Sequence, residues 1–366
     1  MNICIIGDGI TSLSLAKNLI NKKINVHIYH KKKTYNSLNN RTIGISKNNL
    51  QFFKNEIQDI PKKNVWEIKK IEIYSDKITE NKILDFKNNK DELFYMIRND
   101  ELYKLLKKDL LKKKNFQKKK IVLKNFYQKM IQDKKYDLII NCENDNPISR
   151  KYFEKKIQKD YFNIAYTAIV THEKLKNNIA VQTFTKNGII AYLPISNKET
   201  SVVCSLRMKK NKRFDDNEIY SLINKYNIRL NIKKISKISN FKLESSNLRN
   251  YYYKNILAFG DLLHKIHPLA GQGFNMTIRD IKILSKIIQN KINLGLQLDA
   301  TIFEEFEKET KHINLIFSNG IDFIYEFFNF DRKTKDQNLV KLLKFFGKNE
   351  YLKKSIIRFA DKGLNF

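Results

Sequence analysis

The N-terminus restricts the fold more than any other part of the chain. Asn2 to Ile6 is a continuous apolar run, and Gly7-Asp8-Gly9-Ile10-Thr11-Ser12 follows it. Leu13, Leu15, Ala16, Leu19 and Ile20 then recur at helical spacing before a second strand from Ile24 to Tyr29. Strand, glycine turn, helix and strand make a βαβ unit with a dinucleotide turn. Gly7 makes the bend, and Gly9 lets the backbone approach a pyrophosphate lying on the helix N-terminus. Ser12 replaces the third glycine, and His30 stands where an acid at the end of the second strand is expected to hold the adenosine ribose. This unit alone is compatible with FAD and with NAD.

Composition sets outer limits. With 366 residues, 42% of them hydrophobic, the chain can bury a sizeable core, and its length suggests roughly two domains. The formal net charge of +32 would attract nucleic acid or an anionic membrane. The lysines, however, are spread over the whole chain among Asn and Ile, so solvated surface is expected rather than a specific nucleic-acid site. An anionic bilayer could still benefit from the same charge. Cys4, Cys142 and Cys204 each sit in an apolar strand-like run and read as core residues of a reduced compartment, with no metal set among them. Without a signal peptide or an apolar run approaching the roughly 20 residues needed to span a bilayer, the expectation is a cytoplasmic protein, soluble or peripheral on the inner face of the cytoplasmic membrane.

Beyond the first unit, Arg41 stands on the loop after the second strand, where a guanidinium can pair with a phosphate, although in isolation such a residue is more often a solvated surface charge. Trp66 to Tyr74 alternates as one half-buried strand does, and Phe94 to Ile97 is a strand leading into a helix with Leu102, Leu105, Leu106 and Leu110 on one face. The strand YDLII, Tyr136 to Ile140, runs into a polar turn with Asp145 and Arg150, which suit a cofactor contact or a plain surface turn. From Phe162 to Arg207 the chain becomes β-rich with short turns, an antiparallel meander; Asp216 to Tyr226 is a helix and Ile238 to Leu243 a strand.

The second informative stretch is Asn255 to Asp280. A short apolar run ends in Gly260-Asp261, and the turn Gly271-Gln272-Gly273 opens a helical pattern. A carboxylate accepts hydrogen bonds from hydroxyls, while a glycine turn and a helix N-terminus favour negative charge. The remainder is helical. Leu339 to Phe346 and Tyr351 to Phe359 alternate basic with apolar residues, a pattern that suits a membrane surface or the protein's own flank.

Taken together, Gly7-Asp8-Gly9, Arg41-Thr42-Ile43-Gly44-Ile45-Ser46, Gly260-Asp261, His264, the run His267-Pro268-Leu269-Ala270-Gly271-Gln272-Gly273-Phe274-Asn275 and Arg279-Asp280 resemble the FAD-dependent aromatic hydroxylases related to para-hydroxybenzoate hydroxylase. Within these, the Trp66 strand leading to Ser75-Asp76 and the Phe184, Gly188, Leu193-Pro194 pattern are similar to the ubiquinone-biosynthesis branch. The resemblance implies an α/β (α+β) fold. It comprises a Rossmann-like FAD-binding domain (1–65, 95–160 and 250–300), an antiparallel-sheet substrate domain (66–94 and 161–249) and a helical C-terminal region (301–366).

It also implies residue roles. Gly7, Gly9, Ser12, Arg41, Asp145, Arg150, Gly260, Asp261, Gly273, Phe274 and Asn275 would bind cofactor, with Asp261 on the ribityl chain and Asp145 and Arg150 in a motif shared between FAD and NAD(P)H. The turn with His267, Pro268, Gly271, Gln272 and Gly273 would lie along the isoalloxazine and form the catalytic face. Two departures are Asn146 for the glycine expected after Asp145, and Thr277 for a small glycine. The implied chemistry is NAD(P)H reduction of FAD, reaction with O2 to a flavin hydroperoxide, and transfer of one oxygen to the ring of a polyprenylated phenol. A ubiquinone-biosynthesis protein complex and a peripheral membrane contact would suit such a substrate. A hydroxylase of a soluble phenol and a non-catalytic flavoprotein scaffold are the alternatives.

Overall fold

The structure is a computed structural model that describes residues 1–31, 41–76, 82–87, 92–122, 125–132, 135–208, 213–267 and 271–333. In chain order the first part comprises β1 (Asn2–Ile6), α1 (Ile10–Asn21), β2 (Asn25–His30), β3 (Thr42–Ser46), α2 (Lys47–Phe52), β4 (Trp66–Ile68), β5 (Lys70–Ser75), β6 (Leu84–Lys87), β7 (Phe94–Arg98) and α3 (Asn99–Leu110). The middle holds β8 (Phe116–Lys120), α4 (Phe126–Gln132), β9 (Leu138–Asn141), α5 (Pro147–Tyr152), β10 (Lys156–His172), β11 (Ile179–Thr185), β12 (Gly188–Pro194), β13 (Glu199–Arg207) and α6 (Asp216–Lys225). The last part is β14 (Ile232–Ile235), β15 (Ser239–Leu248), β16 (Tyr252–Tyr253), β17 (Ile256–Ala258), β18 (His264–Lys265), α7 (Gly273–Asn293) and α8 (Thr301–Lys333).

Among the described residues the strands form three sheets. The first has the order β16-β17-β9-β1-β2-β8, with β17, β9, β1, β2 and β8 mutually parallel. Its central strands β1, β9 and β17 read as nearly unbroken apolar runs, as buried parallel strands do, and Ile3, Ile5, Leu138, Ile140 and Leu257 are all 0% exposed. Each such side chain contributes roughly 1.5–3 kcal/mol on burial. The strand order reverses at β1, so the crevice for a ligand opens at the C-terminal end of β1, where Gly7 lies.

The second, nine-stranded sheet runs β18-β15-β10-β13-β12-β11-β5-β6, with β14 also on β10. The expected meander holds for β11, β12 and β13. By contrast β10 joins on the far side of β13, and β5 adds to β11 in parallel. The 66–74 stretch is two strands rather than one. The chain breaks at Lys69, whose N–H donates to Asn178 O at 2.9 Å. Consequently β4 pairs in the three-stranded sheet β3-β7-β4 while β5 pairs in the large one. Alternation alone does not register such a switch, since both strands are half-buried with the same period.

The small sheet is tied to the large one. Thr42 Oγ1 donates to Ser201 Oγ at 2.9 Å, Arg98 pairs with Glu199 at 2.6 Å, and Trp66 Nε1 donates to Asn177 O at 2.5 Å. At the other end α7 and α8 pack together, with the Arg279 guanidinium 4.2 Å above the Phe317 ring and Asn314 donating to Asp280 at 3.3 Å. α8 also meets the large sheet: Tyr161 donates to Asp322, Asn163 to Tyr325 at 2.8 Å, and Asn247 to Ser318 at 2.9 Å. No helix among the described residues is long and apolar enough to cross a membrane. The basic amphipathic runs at 339–346 and 351–359 lie outside the described residues.

Candidate functional site

Three turns build the site, and the first is the one after β1. Gly7 has φ 110°, a conformation open to glycine, and an added Cβ would come within 3.0 Å of Glu143 Cγ and 3.3 Å of Ser12 Oγ. Ser12 is buried against Gly7 and Cys142 and fills the space of the third glycine. Burial pushes the Cys142 thiol up to about 12, with Ser12 opposing and the Glu143 and Asp261 carboxylates adding to the rise. Gly9 caps α1 with nothing within 4 Å of an added Cβ, so its backbone faces open space.

The second turn brings the distant half of the chain to the first. β17 lies beside β9, and Phe259 N–H donates to Asn141 O at 2.9 Å. The chain then makes a tight turn over Gly260–Leu262 with Gly260 at φ 64°. An added Cβ on Gly260 would lie 2.7 Å from Thr11 Cγ2 in the first turn of α1. Only a glycine allows this approach, and it sets the exposed Asp261 beside the α1 N-terminus. Arg41 stands on the same side. Burial lowers its pKa, the Asp261 carboxylate opposes that, and its guanidinium lies 4.5 Å over the Phe241 ring. Its Nε is buried without a hydrogen-bond partner among the described protein atoms.

The third turn is Gly271-Gln272-Gly273. Gly271 has φ 65°, and an added Cβ would lie 3.5 Å from Gly44 N. Gly273 opens α7 with nothing within 4 Å of an added Cβ, and Gln272 Oε1 is buried without a partner among the described residues. Asn275 acts differently from a simple cofactor contact. Its Oδ1 accepts from Ser46 N–H and Asn49 Nδ2, both at 2.9 Å, and its Nδ2 donates to Gly44 O at 3.0 Å. The side chain therefore clasps β3 against the turn and fixes where Gly44 meets Gly271. Phe274 packs towards Phe53, with ring centroids 6.2 Å apart. Thr277 is buried and back-bonds to Gly273 O at 3.4 Å, so a hydroxyl is accommodated where glycine was expected.

Both histidines are buried. His264 meets Asp280 at 2.5 Å, and His267 packs edge-on to Tyr161 at 4.8 Å and against Tyr325 at 4.4 Å. Burial, with the Asp322 hydrogen bond, raises the Tyr161 phenol well above its usual range. Pro268 lies outside the described residues.

Asp145 and Arg150 pair with each other at the surface, with side chains 74% and 75% exposed. Asn146 is not in a left-handed turn: its φ is −146°, and its side chain caps α5 by accepting from Ser149 N–H at 2.9 Å. An asparagine is therefore at ease where a glycine was expected. Glu143, not singled out from the sequence, is the carboxylate-bearing side chain that stands against Gly7. Its signal was its place just after the β9 strand end.

The cradle fits a dinucleotide on its own geometry. α2, α5 and α6 have side-chain caps, and α3 carries Asp100 and Glu101 in its first turn. α1 and α7 have neither a side-chain cap nor an acid there, so their N-terminal N–H groups remain for a ligand. Two such helix ends, the exposed Asp261 and the unpartnered Arg41 Nε suit a ligand carrying both phosphates and hydroxyls.

Residues 141–295 match the family described as FAD binding domain. Ubiquinone biosynthesis monooxygenase COQ6 of Dictyostelium discoideum is 35% identical over 95 residues, 26% of this chain and 19% of that protein. The Danio rerio protein of the same name is 26% identical over 270 residues, 62% of this chain and 55% of that one. The chain thus matches less than two thirds of the length of either relative. Among solved structures, p-nitrophenol 4-monooxygenase from Pseudomonas putida superposes with a TM-score of 0.78 at 11% identity, covering 100% of this chain and 98% of that one. In sequence and in fold, then, the chain is similar to the FAD-dependent aromatic hydroxylases, with its sequence relatives in the ubiquinone-biosynthesis branch.

Proposed function

We propose that the chain is an FAD-dependent monooxygenase that hydroxylates the aromatic ring of a polyprenylated phenol in ubiquinone biosynthesis, using NAD(P)H and O2. The observation that carries this reading is the Gly260–Thr11 contact. It sets Asp261 beside the open end of α1, within electrostatic reach of Arg41, while the α7 turn is held to β3 by Asn275. Asp261 would hold hydroxyls of the ribityl chain, Gly7 and Gly9 the pyrophosphate, and Arg41 Nε a phosphate or ring oxygen. Asp145 and Arg150, paired at the surface, would serve the nicotinamide cofactor from outside the cleft.

Bound there, FAD would accept a hydride from NAD(P)H and supply the chemistry by which one atom of O2 enters the ring and the other leaves as water. The chain's own part is electrostatic and steric. The free N–H groups at the start of α7 stabilise negative charge at the edge they face. Gly271 and Gly273 let that backbone approach without side chains between. The large sheet and the His267, Tyr161 and Tyr325 cluster orient the phenol and keep water away.

A long prenyl tail makes a peripheral bilayer contact useful, and the net charge of +32 suits an anionic surface. The choice of phenol is tested by incubating protein, FAD and NAD(P)H in air with a prenylated phenol and, separately, with its tail-less counterpart. The expected result is a product one oxygen heavier from the prenylated substrate, formed at least about ten-fold faster. An equal or faster reaction with the tail-less phenol would move the substrate to a soluble compound.

A further inference from the structure

The N-terminal unit lacks the acid that ordinarily ends β2 to receive the adenosine ribose; His30 is there instead. Asp8, within the glycine turn, is the first acidic residue of the chain, and the next is Glu56. An acid in a turn that must face a pyrophosphate is unfavourable unless its charge is directed elsewhere and balanced. The structure shows both. Asp8 Oδ2 lies 3.8 Å from His30 Nδ1 at the end of β2, accepts from the Tyr103 hydroxyl of α3 at 3.3 Å, and is ion-paired with Lys118 of β8. Lys118 is the register partner of Ile28 on β2, so the carboxylate is drawn across the sheet, over β2 towards β8. It remains reachable, with its side chain 14% exposed.

From this geometry, and resting on the FAD reading above, we propose that Asp8 supplies the carboxylate that holds the adenosine ribose hydroxyls of the bound dinucleotide, in place of the acid missing at position 30. With the pyrophosphate along the N-terminus of α1, the adenosine half extends over β2, the side to which Asp8 turns. A carboxylate offers about four lone-pair sites, so it can accept ribose hydroxyls while Lys118 and Tyr103 hold it. Lys118 compensates its charge, which keeps the turn tolerable to the phosphates.

The test is titration of flavin-free protein by fluorescence, using wild type, Asp8→Asn and Asp8→Ala. The probes are FAD, FMN, and an FAD analogue lacking both adenosine ribose hydroxyls. The expected result is that wild type loses about ten-fold or more in affinity when the hydroxyls are removed. Both variants should lose a similar factor for FAD, bind the analogue as wild type does, and bind FMN unchanged. Equal binding of FAD and analogue by wild type would overturn the proposal without any variant having to fold. So would tighter FAD binding by Asp8→Asn, the outcome if Asp8 serves only to hold Lys118 away from the phosphates. A wild-type protein that bound no FAD at all would instead remove the functional reading on which the proposal rests.

Discussion

Asp261→Ala is expected to leave purification without bound flavin and to bind added FAD about 10- to 100-fold more weakly. The carboxylate is exposed, its side chain has no hydrogen bond to protein among the described residues, and it stands on a turn that touches Thr11. Its removal therefore costs the fold little. A hydrogen bond to a charged group contributes roughly 1.5–3 kcal/mol to binding, which is the source of the affinity range. Arg41 would also lose the opposing charge that offsets its own burial. Two measurements together check the prediction: the FAD dissociation constant by fluorescence, and the unfolding midpoint of the flavin-free protein. A yellow variant with unchanged FAD affinity would refute the assignment of Asp261.

The largest effect on stability is expected at Asp280. This carboxylate is 1% exposed, meets the 2%-exposed His264 at 2.5 Å, and accepts from Asn314 at 3.3 Å. It thereby ties α7 to β18, at the edge of the large sheet, and to α8. Asp280→Ala removes the partner of a buried imidazole, and leaving such a buried polar group unsatisfied costs about 1–3 kcal/mol or more. Denaturant unfolding should show a much lower midpoint, with loss of soluble protein at growth temperature the extreme outcome. Asp280→Asn, which keeps an acceptor for His264, should retain part of that stability. A stability loss under about 1 kcal/mol for Asp280→Ala would mean that the pair is not a tie of this kind.

What the sequence made legible is what local chemistry controls. Gly7 and Gly9 between an apolar strand and a helical repeat locate the dinucleotide turn, because that turn is built from consecutive residues. Gly260-Asp261 and Gly271-Gln272-Gly273 were visible for the same reason. The contacts that turn these pieces into a cleft were not visible. The Gly260 approach to Thr11, the Asn275 clasp on Gly44, and the Asp8 reach to Lys118 all join residues distant in sequence. Their residue types alone suit many uses. The split of 66–74 between two sheets was hidden because both strands share one period, and the placement of β10 beyond β13 because strand order is a tertiary choice. Asn275 was read as a cofactor contact from its position; the bonds by which its side chain also holds the turn to β3 depend on residues more than two hundred positions away.

The proposed activity is oxygen transfer at a flavin that Asp261, Arg41 and the ends of α1 and α7 would hold. The most direct test supplies protein, FAD, NAD(P)H and a prenylated phenol with isotopically labelled O2 in ordinary water, and analyses the product by mass spectrometry. The account predicts a hydroxylated phenol carrying one labelled oxygen atom, formed only when FAD is present. NAD(P)H oxidation without any labelled product, or an unlabelled hydroxyl taken from water, would contradict it.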